Sequence, residues 1–476
     1  MTWFEVDKEG LKQLLFYRNK SFIFKELLQN AWDEDGVTWC NVYLEQIPNR
    51  PLARVTVEDN APEGFYNLSH AYTFYAHTRK RQNPNKRGRF NIGEKEVLSL
   101  CKEAYIQTTK GTIKFLPNGE RKRGRKKREA GSIFVAEIPM TRAEIAECEA
   151  VIQTFIPPKG ITTCFNKRLL PRRERLATVE ATLATEYEDA GGRYRSTHRQ
   201  TQVYVYEPLE GEQAMLYEMG LPVCETGDRW HYDIQQRVPL SRDRDTVKPS
   251  FLQDVRAEVL SVLADDLNED DAGEQWVRDA TADDRISEDA VRQVVEKRWG
   301  DKVAVATPGH KKSKEHAIAN GYHLVSPREL SSDEWEQVKR YELIPATSKL
   351  FPQTFTGYDI IPEDKWTDGM KDTAELTRFV AKNAFKLEVT VEMIESDASN
   401  DADYGDRHVR FNVQGLGKKW FDSSLETRLD LIIHEICHEY GGHLDMSYHK
   451  ALTKIAAKGW ANSMFAGLRR KGQDNG

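Results

Sequence analysis

At 476 residues the chain is long enough for about three domains at ~150 residues each, which excludes a single small core. Charged residues make up 30% and hydrophobic ones 39%, a soluble balance, and no apolar run approaches the ~20 residues of a membrane span. The net charge of −6 hides opposed blocks: RKRQNPNKRGR (Arg79 to Arg89) and RKRGRKKR (Arg121 to Arg128) are basic, Ala264 to Asp289 is acidic, and such blocks read first as solvated loops or linkers.

The start, MTWFEVDKEGLKQLL, lacks the basic and apolar regions of a signal peptide, so a cytoplasmic location is expected. Cysteines 40, 101, 148, 164, 224 and 437 form no C-x-x-C pair, which points to reduced thiols and leaves histidine to supply any metal ligands.

In chain order, helical patterns near Leu11 to Phe16 and Ser21 to Trp32 precede strands at Ala53 to Glu58, Tyr105 to Phe115 and Ser132 to Ile138, with a basic loop from Pro117 to Gly131. This reads as an α/β domain over residues 1–149. TTCFNKRLL, TQVYVYEP and HYDIQQRVPL then lead into a helix near Ser250, an α+β domain over 150–260. An acidic linker gives way to VAVATP, a helix and YHLVSP within 261–345. A last domain, 346–476, has a helix near Asp372 to Phe385, strands LEVTVEMI and HVRFNVQGL, and a helix carrying HEICH.

In KELLQNAWDEDG (Lys25 to Gly36), Glu26, Asn30 and Asp33 are spaced i, i+4 and i+7 and share one helical stripe, beside Phe24, Leu27, Leu28 and Ala31. Spacing alone favours an ordinary polar stripe. Two later segments add chemistry. ARVTVE runs into DNAPEGF, placing Asp59 at a strand end ahead of turn residues and Gly64. KRGRFNIGEKEVLSL sets Gly88 and Gly93 before a helical pattern, where free N–H groups and the helix dipole hold phosphate.

That order resembles the GHKL (Bergerat-fold) ATPases, which include gyrase, the ninety-kilodalton heat-shock chaperones, histidine kinases and mismatch-repair ATPases, over roughly residues 1–260. The resemblance implies an α/β sandwich that binds ATP with Mg²⁺, a transducer-like α+β domain after it, and an ATP-dependent homodimer. By position it implies Glu26 as the general base, Asn30 as the Mg²⁺ ligand and Asp33 as a supporting polar group. Asp59 matches the carboxylate that accepts from the adenine amino group, with Gly64 in the same motif. Gly88 and Gly93 match the lid glycines, with Lys95 nearby, and Ser132 stands where the family has a Thr reached through water. DNAPEG is longer and less glycine-rich than D-x-G-x-G, and Asn91 replaces a middle lid glycine. In QRVPLSRDRDTVKPS the resemblance places a γ-phosphate sensor, taken as Lys248 with Arg244 close behind.

HEICHEYGGH (His434 to His443) ends a helix read from Ser423, with Ser423 and Glu426 as a capping box and Gly441 and Gly442 as the stop. His434 and His438 share one face and can grip a Zn²⁺, and Glu435 is placed to take a proton from water. Zinc held there lowers the pKa of a bound water to ~7. The third ligand is taken as His443, with His449 in reserve and Asp445 and Glu439 as further candidates. Packed or exposed histidines are the plain alternative, but LDLII supplies the apolar run an internal active-site helix needs, and Cys437 reads as a small buried residue. Residues 350–460 resemble the compact HExxH zinc peptidases, including small ones found with phage and mobile-element regulators. This implies a zincin-like α+β domain, with HVRFNVQGLGKKWF as the edge strand that aligns a peptide.

The expectation is an α+β multidomain protein, an ATP-regulated zinc metallopeptidase acting on a protein or peptide, with no membrane partner. Two rivals remain: an ATP-dependent dimeric clamp that contacts DNA or RNA through the basic stretches, and a chaperone-like ATPase with a non-catalytic zinc domain. Glu435 favours hydrolysis, since a structural zinc site uses four protein ligands and no such base.

Overall fold

The computed structural model describes residues 6–65, 67–189, 193–241, 245–307, 311–326, 328–351, 358–396, 400–443 and 445–473. The chain is α+β and divides into two compact units, residues 1–293 and 294–476. Among the described residues no helix is long and apolar enough to cross a membrane.

In the first unit, strands β1 (Trp39–Gln46) and β2 (Leu52–Asp59) alternate buried and more open positions. Cys40, Val42, Leu44, Ala53, Val55 and Val57 share a core with Phe24, Leu27, Leu28 and Ala31 of the Phe22–Trp32 helix. Each large side chain buried there contributes ~1.5–3 kcal/mol, so the helix is held by its apolar stripe and its polar stripe is left for other use. With β3 (Glu103–Thr108), β4 (Gly111–Phe115), β5 (Arg121–Gly124), β6 (Ile133–Pro139), β7 (Thr162–Phe165) and β8 (Arg168–Leu169), they form a sheet in the order β5-β4-β3-β6-β2-β1-β7-β8.

Two segments depart from expectation. TTCFNKRLL, expected to open the second domain, supplies β7 and β8 to the first sheet, with β7 parallel to β1. Thr163 and Phe165 are buried there, and Trp32 Nε1 donates to Thr163 Oγ1 at 3.1 Å. The stretch read as a basic loop contains edge strand β5, whose four residues are all exposed, so pairing with β4 buries no charge.

A second sheet is built on the long hairpin of β9 (Arg175–Glu188) and β10 (Tyr194–Tyr206). With β11 (Met215–Glu218), β12 (Leu221–Glu225) and β13 (His231–Ile234) its order is β12-β11-β13-β10-β9. The Pro249–Leu263 helix packs on β9 and β10 and buries Phe251, Val255, Val259 and Leu260. The acidic stretch is folded rather than a solvated linker. Its helix Gln275–Thr281 buries Trp276, Val277 and Ala280, with Trp276 edge-on to Trp230 at 5.6 Å, and Arg256 pairs with Asp279 at 2.9 Å.

In the second unit, β14 (Val303–Val305) and β15 (His323–Val325) flank a helix, Lys311–Ala319, and pair in parallel. A four-stranded sheet follows from β16 (Asp359–Ile360), β17 (Thr390–Glu395), β18 (Ala402–Gly405) and β19 (His408–Asn412), in the order β16-β17-β19-β18. The HVRFN strand, expected at the edge, is therefore interior, because the short polar ADYG strand covers it antiparallel. The Asp368–Val380 and Leu425–Cys437 helices share a core with this sheet through Met370, Ala374, Val409, Phe411, Ile432 and Ile436. The second helix is capped by Ser424, which accepts from Thr427 N at 3.2 Å, one residue later than the capping box read from Ser423.

Candidate functional site

The stripe on the Phe22–Trp32 helix divides its three polar residues among three tasks. Glu26 is buried against the start of the Gly93–Leu100 helix, where any Cβ at Gly93 would overlap its carboxylate. Asn30 lines a narrow cleft of about 30 Å³. Asp33 turns to the glycine loop: Gly88 N donates to its Oδ2 at 2.7 Å and Arg87 Nη1 to its Oδ1 at 2.8 Å. Burial alone pushes the Asp33 carboxyl up, but Arg87, Lys80 and the backbone donors outweigh it and hold the group below its ordinary value.

The cleft has apolar walls from Leu27, Ala31, Val57, Phe65, Ile106 and Phe134, and polar groups from Asn30, Glu34, Asp59, Glu94 and Ser132. Asp59 accepts from Ala61 N at 2.9 Å and Ser132 N at 3.3 Å, and burial pushes its carboxyl up to about 6. Ser132 Oγ is buried with no partner among the described residues. Gly64 and Gly131 stand together in the turns beside Asp59, both at positive φ, and a Cβ on Gly131 would overlap the Asp59 carbonyl oxygen. Apolar walls with a buried carboxyl group and an orphaned hydroxyl among them suit an apolar ligand edge that bears an amino group.

At the loop, Asn91 takes φ 55°, a left-handed conformation that Asn tolerates. Its Oδ1 accepts from Lys95 Nζ at 3.0 Å, and burial holds the Lys95 ammonium below its ordinary value. Glu94 lies on the cleft wall; Lys95, although buried, does not. Lys248 is exposed at the N-cap of the Pro249–Leu263 helix and away from the cleft lining, and Arg244 lies outside the described residues.

The basic residue that does reach the loop is Arg237, immediately after β13. Its Nε donates to Lys86 O at 2.7 Å and its Nη2 to Gly88 O at 2.6 Å and to Lys80 O, while its own N–H donates to Pro84 O at 2.9 Å. From the loop side, Arg87 donates to Met219 O, and Arg89 pairs with Glu218 and donates to Val238 O at 2.6 Å. These three arginines are buried and fasten the glycine loop to the second sheet. Lys80 bridges back to Glu34 at 2.8 Å. Sequence reasoning missed Arg237, Arg87, Lys80, Glu34 and Glu94, because nothing in their spacing announces a partner far along the chain.

In the second unit, His434, His438 and His443 offer ligand nitrogens that all lie within 4.8 Å of one another. His434 Nδ1 lies 2.9 Å from Tyr448 Oη and His438 Nδ1 3.2 Å from Gly441 O. A carbonyl can only accept, so His438 carries its proton on Nδ1, and the Tyr448 contact lets His434 do the same. Both rings then turn an Nε2 lone pair towards the cluster, the atom that would bind a cation. His443 Nε2 is 2.8 Å from His434 Nε2. Burial holds the His434 imidazole below its ordinary value, in the neutral state a ligand needs.

The other candidates are turned elsewhere. Glu439 accepts from Tyr404 Oη at 2.6 Å, Asp445 accepts from Gly442 N at 2.6 Å, and His449 is exposed outside the cluster. Glu435 is buried, and burial with Asp403 and Asp401 pushes its carboxyl up to about 8. Three imidazoles, two of them with outer partners, and a buried carboxyl group beside them fit a zinc ion with an open position.

No family model matches the chain, and no curated protein matches it. Among solved structures, the ATPase and transducer domains of DNA topoisomerase II from Balamuthia mandrillaris align at 13% identity and TM-score 0.29, over 42% of this chain and 59% of that one. The N-terminal domain of a DNA repair protein aligns at 11% identity and TM-score 0.32, over 50% of this chain and 91% of that one.

Proposed function

We propose that the protein is a zinc metallopeptidase regulated by an ATPase module of GHKL type on the same chain. The observation that carries the reading is the convergence of His434, His438 and His443 beside the buried carboxylate of Glu435. His434, His438 and His443 would hold Zn²⁺, which supplies a Lewis acid for amide hydrolysis. Glu435, ionised once the charge of a bound cation offsets its burial, would take the proton from the attacking water and return it to the leaving amine. β18, at the edge of its sheet, would pair with an extended peptide.

In the first unit, the cleft would take the adenine of ATP against Asp59 and Ser132, with Gly64 in the turn beside them. Asn30 would hold Mg²⁺, and the loop from Gly88 to Gly93, with Lys95 behind it, would cover the phosphates. Glu26 is the base for the water that attacks the γ-phosphate. Lys248 is retained as the proposed γ-phosphate sensor of a closed, ATP-bound homodimer. The support is chemical: an orphaned hydroxyl, a buried carboxylate and apolar walls in one cleft.

The deciding experiment is proteomic capture of substrates by a Glu435→Gln form loaded with zinc and ATP, compared with wild type. Proteins retained by the variant and cut by wild type identify a peptidase. If no protein is cut while zinc is fully bound, the domain is a binding module and the hydrolase reading fails.

A further inference from the structure

The two basic runs are alike in composition and opposite in circumstance. In the first, the charges are used inside the fold. Lys80 pairs with Glu34, Lys86 with Asp35, Arg87 with Asp33 and Arg89 with Glu218. In the second, only Arg128 finds an acid, Glu58 at 2.6 Å, and Arg121 lies over the Tyr72 ring at 4.2 Å. Lys122, Arg123, Arg125, Lys126 and Lys127 are exposed and have no ion pair or side-chain hydrogen bond among the described residues.

The strand is also placed against its own electrostatic interest. β5 pairs with β4 so that Lys122 stands directly opposite Lys114, which is exposed too. Like charges across a strand pair destabilise it, and one or two lysines suffice to protect a sheet edge from aggregation. A run of this density in a chain of net charge −6 is explained by an anion that docks on it.

We propose that the β4–β5 edge binds the phosphate backbone of double-stranded nucleic acid without regard to sequence. The exposed cations run from Lys122 in β5 through Lys127 in the segment after it, a spread of charge suited to a line of phosphates rather than to one anion. A membrane surface is disfavoured because the segment from β4 to Arg128 carries no exposed large hydrophobic residue to enter a bilayer. The row also leads into the cleft: Arg128 N donates to Thr108 O at 3.0 Å, and three residues on, Gly131 and Ser132 meet Asp59. The inference does not depend on the peptidase reading and goes beyond it.

The test uses the full chain and a fluorescent random-sequence DNA duplex, with anisotropy measured from 50 to 200 mM salt. About five phosphate contacts predict a slope near −4.5 in log K against log salt, roughly a 500-fold loss of affinity over that range. Replacing Lys122, Arg123, Arg125, Lys126 and Lys127 by Gln should flatten most of the slope while the melting temperature holds, since none of these side chains has a partner to lose. A control variant with Arg142, Lys159 and Lys167 changed to Gln should bind like wild type. Wild type that fails to bind duplex, or binds it equally after the five substitutions, overturns the proposal. So does binding of polyglutamate or of phosphatidylserine vesicles in preference to duplex.

Discussion

Gly93 rests so closely on Glu26 that no side chain fits between the start of its helix and the Glu26 carboxylate. The glycine is therefore a spacer that sets where the carboxylate lies relative to the loop. Glu26→Ala should leave nucleotide binding within a few-fold and reduce ATP turnover by ~10²–10⁴, the usual contribution of a positioned base. Gly93→Ala should lower turnover by at least tenfold with Glu26 still present. Steady-state phosphate release with parallel calorimetry separates the two, and full turnover by Gly93→Ala would show that Glu26 does not act from this position.

Asp59 supplies a pH signature. Its folded value of about 6 exceeds the ordinary 3.8, so the folded state favours the protonated form. Above pH 6 the fold carries the cost of a buried charge, about 3 kcal/mol for a shift of roughly two units, and stability is regained as pH falls from 6 towards 4. An amino donor needs the ionised form, so nucleotide affinity should move the other way and weaken below pH 6. Asp59→Asn should abolish binding yet raise stability at pH 8 by roughly 1–3 kcal/mol. Calorimetry for binding and denaturant melts for stability check the two signs independently.

For the histidine cluster the expectation is one zinc per chain, lost in His434→Ala and His438→Ala and kept in Glu435→Gln. Tyr448 is buried with its Oη on His434 Nδ1, so Tyr448→Phe should weaken zinc 10–100-fold without removing a ligand. His443→Ala should weaken it further than His449→Ala, which should bind zinc like wild type. Chelator competition followed by elemental analysis measures this series. Equal affinity in His443→Ala and wild type would move the third ligand elsewhere.

What was legible in the sequence follows from how far each partner lies. Glu26, Asn30 and Asp33, and likewise His434 and His438, are set by helical spacing within a few residues, so their common faces could be read directly. Strand β9 reads RLATVEATLATEYE, rich in Ala and Glu, and becomes a strand only by pairing along its length with β10. HVRFN was misjudged as an edge because its cover, ADYG, is too short and polar to show an alternating pattern. Arg237 was invisible for a stronger reason: its acceptors are backbone carbonyls about 150 residues away, and carbonyls carry no residue identity.

The last expectation joins the two units. Coupling requires that nucleotide favour one of two conformations in which access to the zinc cleft differs. Within the first unit, Arg237 is one of three arginine links between the loop and the second sheet, tying Lys86 and Gly88 to the strand end after β13. Arg237→Ala would take a donor from three part-buried carbonyls, at a cost of about 3 kcal/mol, and should release the loop, seen as faster hydrogen exchange over residues 80–89. Peptidase activity should depend on bound ATP, disappear in His434→Ala, and lose its ATP dependence in Arg237→Ala while nucleotide still binds. Lys248→Ala provides the contrast: if Lys248 senses the γ-phosphate in a closed homodimer, it too uncouples, and light scattering with a non-hydrolysable analogue shows the doubled mass lost. The comparison is cleavage of a captured substrate with and without ATP, in wild type and in Asp59→Asn. Equal cleavage in all four conditions would mean two independent enzymes on one chain, and the role assigned to Arg237 would reduce to holding the fold.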